Sequence, residues 1–178
     1  MKTDYQTAQK TDSSAKSYKS RFFIISGWCD TTGRAPYRYL AEIAGNKGYK
    51  VVKVNPEWDE ALSGQVFPTT RHDIVFGFSM GAILACMVCK RFPYRKLILA
   101  SMTPVLDLSK RTLKMLGREI AEDCKKFRYG GVKATYFYGE KEIDESLRKI
   151  RKLCRIKIIP NTCHQLNFEY LQRISEEL

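Results

Sequence analysis

The stretch "DIVFGFSMGAILACMVC", Asp73–Cys89, decides how this chain is read. Its opening "DIVFGF" has the length and apolar character of a buried strand, and a helical pattern runs from Ser79 to Phe92. Ser79 stands at the junction with Gly77 and Gly81 on either side, in the pattern G-x-S-x-G. A strand that bends sharply into a helix exposes a hydroxyl placed there. The flanking glycines have a steric reason, since a side chain at either would crowd the neighbouring strand or helix.

Outward from this stretch, apolar runs alternate with amphipathic ones. "FFIIS" (Phe22–Ser26) predicts the first strand, and "APYRYLAEIAGNKG" a helix that stops at Gly48. "YKVVKVN", "DIVFGF", "RKLILAS", "VKATYFYG" and "CRIKIIP" predict five more strands. Helical spacing recurs at 109–128, 143–153 and 166–177. Strands that alternate with helices form a parallel sheet covered on both faces. The expectation is an α/β three-layer sandwich around a mostly parallel sheet of about six strands. Residues 1–20, polar and without an apolar run, are expected to form a flexible arm before a single domain at 21–178.

Composition narrows the function. A chain of 178 residues with 44% hydrophobic content is large enough for one proper core. No run reaches the ~18 apolar residues of a membrane span, and the expected location is cytoplasmic. The net charge of +12 comes from 31 basic and 19 acidic residues spread along the chain. No aromatic-interleaved basic motif of the nucleic-acid-binding kind accompanies them, so they read as solvated helix faces. The six cysteines offer one Cys86-x-x-Cys89 pair without a second, which does not support a zinc site; they read as reduced, mostly structural thiols.

In a parallel sheet, ligands sit beyond the carboxyl ends of the strands. Gly27–Asp30, Ser79, Ser101–Thr103, Gly139–Asp144 and Asn161–Gln165 all follow strands and converge on that rim. A serine hydroxyl needs a positioned base to act as a nucleophile, normally histidine. Only two histidines are available. His72 precedes the strand that ends at Phe78, and six residues at ~3.3 Å each put it ~20 Å away on the opposite rim. His164 follows the last strand, on the same rim as Ser79. Glu140, Glu142 and Asp144 follow the fifth strand and supply carboxylates that could orient the base or cap a helix start.

The elbow, the strand–helix alternation and the order Ser…acid…His together resemble the α/β-hydrolase superfamily, over nearly all of the chain from Phe22 onward. The resemblance implies Ser79 as nucleophile and His164 as general base. It favours Glu142 as the acid, three residues after Gly139, with Asp144 as second choice. It also implies an oxyanion hole from the backbone N–H groups of Trp28 and Met80; where the family often has His-Gly, this chain has Ser26-Gly27. The family's two extra N-terminal strands have no clear counterpart, so a reduced sheet of about six strands is expected. Only one helix fits between Ser101 and Gly131, so the mouth should be open, with Tyr37, Met102, Pro104 and Leu106 on its rim.

The implied activity is a serine hydrolase acting on a small-molecule carboxylic ester or thioester, with no metal or organic cofactor. A thioesterase for acyl-CoA or an acyl carrier would use the basic surface for an anionic substrate. A non-catalytic interaction protein on the same fold would have no physical need for all three site residues. Cys29 and Cys163 flank the site but do not sit on the strand–helix turn. Nothing in the pattern specifies an oligomeric state.

Overall fold

The computed structural model describes residues 20–102, 119–120, 122–123, 132–142 and 155–178. Six strands form one sheet: β1 (Arg21–Ile25), β2 (Lys50–Val54), β3 (Ile74–Phe78), β4 (Lys96–Ala100), β5 (Ala134–Gly139) and β6 (Arg155–Ile159). Their order is β2-β1-β3-β4-β5-β6, and every pair is parallel. The predicted helices at 109–128 and 143–153, like the arm, fall almost wholly outside the described residues, although 119–120 are helical.

Three helices are described. α1 (Ala35–Asn46) begins with a proline in its first turn, where the missing N–H costs nothing. Tyr37, Leu40 and Ala44 form its buried stripe, and Gly48 ends it at φ +86°, a backbone that favours glycine. α2 (Gly81–Arg91) is buried along almost its whole length. α3 (Phe168–Ser175) is capped by the Asn167 side chain, which accepts from the Tyr170 N–H at 3.2 Å.

The pleat sends alternate side chains to opposite faces. Phe22, Ile24, Phe76, Ile98 and Phe137 pack with α1 and α3 on one face. Phe23, Ile25, Val75, Leu97, Leu99 and Tyr136 pack with α2 on the other. The sheet is therefore the middle of three layers. The continuous apolar runs belong to the inner strands, while the edge strand β2 mixes half-buried with exposed residues.

From β1 the chain goes to β2 on one side, then crosses to β3 and continues towards β6 on the other. This reversal leaves a crevice between the exits of β1 and β3, the place where open α/β sheets hold ligands. Among the described residues, no helix is long and apolar enough to cross a membrane.

Candidate active site

Ser79 occupies a turn between the end of β3 and the start of α2, at φ +53°. A non-glycine residue is rarely left-handed, at a cost of roughly 1–2 kcal/mol. The surroundings hold it there. Its N–H donates to the Ala100 carbonyl at 2.8 Å, and its carbonyl accepts from the Ala82 N–H at 3.1 Å. The flanking glycines are packed against backbone, as expected. A Cβ on Gly77 would lie 2.6 Å from the Gly81 carbonyl oxygen, and one on Gly81 would strike the Ser26 carbonyl oxygen.

His164, in the loop after β6, reaches back over the rim. Its Nε2 lies 2.8 Å from Ser79 Oγ, and its Nδ1 lies 2.8 Å from Glu142 Oε2. The imidazole also packs against the Phe78 ring, at 5.4 Å between centroids. The two loops that carry this acid and base are stitched together by Lys141 N–H to the Thr162 carbonyl and Asn161 N–H to Glu140 Oε2, each 3.0 Å. Glu140 thus braces the histidine loop, while Glu142 is the carboxylate brought to His164. Asp144 lies outside the described residues.

Glu142 sits in a dense set of donors. Its Oε1 accepts from Ser101 Oγ at 2.7 Å, Tyr170 OH at 2.8 Å and the Gly139 N–H at 3.1 Å. Burial alone would push this carboxyl up. The hydrogen bonds from His164, Ser101 and Tyr170 outweigh it and hold the group below the usual carboxylate range. The Glu142 side chain is 11% exposed and that of His164 49%, so the acid is enclosed while the imidazole faces solvent.

The loop after β1 lies beside the serine: a Cβ on Gly27 would come within 3.1 Å of Ser79 Cβ. Ser26 donates from Oγ to Asn55 Oδ1 at 3.3 Å and ties the exits of β1 and β2 together. Among the described residues, no carbonyl engages the Trp28 or Met80 N–H. His72 is exposed in the turn before β3, on the opposite rim.

No family model matches the sequence, and no relative is found among curated proteins. Solved structures do match. Est1E from Butyrivibrio proteoclasticus superposes with a TM-score of 0.65 at 14% identity, over 90% of this chain and 85% of its own. MGS-MChE2, an alpha/beta hydrolase enzyme from a lagoon-sediment metagenome, gives 0.61 at 14% identity, over 90% and 89%. The mouse alpha/beta hydrolase domain-containing protein 10 gives 0.61 at 10% identity, over 88% and 86%. The chain has the α/β-hydrolase fold.

Within that fold, two of the expected rim residues are buried rather than open at the mouth. Tyr37 is buried because α1 turns it towards the sheet, where its hydroxyl accepts from the Gly27 N–H at 3.3 Å and donates to Asp30 Oδ2 at 2.9 Å. Met102 is buried in the cluster around α2, and its carbonyl accepts from Tyr138 OH at 2.7 Å. Pro104 and Leu106 lie outside the described residues. Cys86 and Cys89 are buried within α2, where burial pushes the Cys89 thiol up, whereas Cys29 and Cys163 are exposed.

In the sequence, Ser101 stands at the rim without a role and Tyr170 does not stand out. Ser101 had a signal, its position at a strand exit. Tyr170 had none, because an aromatic on the buried stripe of a helix reads as core. Among the described residues, no group of three or more His, Cys, Asp or Glu is placed to hold a metal ion.

Proposed function

We propose that this protein is a serine hydrolase that cleaves a carboxylic ester or thioester through an acyl-enzyme on Ser79. One observation carries the reading: His164 bridges Ser79 and Glu142 with 2.8 Å contacts from its two ring nitrogens. Glu142 on Nδ1 selects the tautomer that leaves Nε2 free to accept the serine proton.

His164 takes that proton as Ser79 Oγ attacks the acyl carbonyl, and the imidazolium formed faces the Glu142 carboxylate. The Trp28 and Met80 amides receive the oxyanion, a contribution of typically ~3 kcal/mol per donor. Collapse of the tetrahedral intermediate expels the alcohol or thiol, which takes its proton from His164. Water activated by the same base then releases the acid and restores Ser79. The left-handed backbone of Ser79 supports the reading, since strain of this kind gathers at functional sites.

A fluorophosphonate probe tests it directly. Wild type is expected to be labelled at Ser79 and to turn over members of an ester and thioester chain-length panel, and Ser79→Ala to do neither while remaining folded. An alanine variant that keeps full activity would sink the proposal.

A further inference from the structure

The Glu142 carboxylate is held by more than its histidine. Ser101 leaves β4 at φ +44°, a left-handed conformation unusual for serine, and its N–H donates to the Phe137 carbonyl at 2.9 Å. That geometry aims its hydroxyl along the rim at Glu142. Tyr170 arrives from the other direction, on the buried face of α3. Both residues are fully buried, and their hydroxyl oxygens lie 2.8 Å apart. Each is within 2.8 Å of the same atom, Glu142 Oε1, which also accepts the Gly139 N–H.

This convergence divides the carboxylate. Three donors crowd Oε1, and Oε2 is left to His164 Nδ1. A glutamate has one more rotatable bond than an aspartate and loses more freedom when fixed. Here that freedom is removed by groups from three separate elements: the β4 exit, the β5 exit and α3. We infer that Ser101 and Tyr170 are positioning residues, which clamp Glu142 Oε1 so that Oε2 stays aimed at His164 throughout the reaction. The catalytic consequence rests on the hydrolase reading, because both residues act through Glu142.

The chemistry of the two hydroxyls suits the task. Burial, and then the Glu142 charge, push the Tyr170 phenol up, so it stays protonated and donates. Four neighbouring strand exits each contribute one member of the resulting chain, in the order Ser79 after β3, Ser101 after β4, Glu142 after β5 and His164 after β6. α3 adds the fifth, Tyr170.

Tyr170→Phe removes one hydroxyl and keeps the packed ring; Ser101→Ala removes the other. Each is expected to lower kcat on an ester substrate about tenfold with KM unchanged, the size expected for one lost hydrogen bond to a charged group. The deciding comparison repeats both changes in a Glu142→Gln background. A residue that acts through the carboxylate should there have almost no further effect. An equal loss in both backgrounds, or no loss in either, would overturn the inference by making the hydroxyls ordinary core contacts.

A second readout needs no turnover. The low-field Nδ1–H proton resonance of His164 should broaden or move in Tyr170→Phe as the acid loosens, and an unchanged resonance would count against the clamp. Wild-type protein that neither turns over esters nor takes the probe would refute the hydrolase reading, while this resonance still reports on the clamp itself.

Discussion

Gly81→Ala tests whether the close packing of the serine turn is what places its chemistry. In most helices a glycine-to-alanine change stabilises, by up to about 1 kcal/mol. Here the sign should reverse. The added Cβ strikes the Ser26 carbonyl oxygen and comes within 2.9 Å of the Ile25 carbonyl oxygen. Both are backbone atoms at the end of β1, so no side chain can swing aside. The start of α2 must retreat from β1 by about 1 Å to restore ordinary contact distances. Overpacking of this kind costs about 1–3 kcal/mol, and the helix-propensity gain recovers only part of it.

The retreat also separates the proposed oxyanion donors, since Met80 moves with α2 while Trp28 stays with the β1 exit. A displacement near 1 Å can lower a rate about 100-fold. The assay is urea unfolding by circular dichroism alongside the rate of fluorophosphonate labelling at a temperature where the variant is folded. A net loss of about 2 kcal/mol and a labelling rate at least tenfold lower are expected. A variant as stable as wild type and labelled at the wild-type rate would refute the reasoning.

Two further outcomes are expected. Asp73, buried at the opposite rim, accepts from the Thr70 N–H at 2.7 Å, from Arg21 Nη2 at 2.5 Å and from the Arg21 N–H at 3.1 Å. Asp73→Ala should cost about 1–2 kcal/mol in urea unfolding, because it removes hydrogen bonds whose donors, on half-buried Arg21 and exposed Thr70, can turn to water, yet leave probe labelling of the folded protein unchanged. Glu142, with its carboxyl below the usual range, contributes stability that is complete above the unfolded value of ~4.3 and is lost only as pH falls through the lower folded value. The stability difference between wild type and Glu142→Gln should therefore persist down to about pH 5 and shrink below about pH 4. Shrinkage already near pH 6 would mean that burial, not the hydrogen bonds, sets the acid's state.

Much of this molecule is written in local pattern. Apolar runs of strand length, helical spacing and the stop at Gly48 specify the layers, because burying an apolar face depends on periodicity that any window of the chain displays. The crowded glycines of "GFSMG" and the rim test that set His72 aside are also local, since strand direction follows from element order. Ser79, His164 and the acidic cluster at 140–144 were legible for that reason.

Tertiary structure decided which carboxylate meets the histidine, because Glu140 and Glu142 differ only in where one short turn aims them. It also turned Tyr37 and Met102 inward, and it brought Ser101 and Tyr170, 69 residues apart, onto one oxygen. A hydroxyl in a buried stripe carries no mark in the sequence of what it will touch. Its partner is set by how α3 docks on the sheet, which depends on packing across the whole face rather than on any neighbour in the chain.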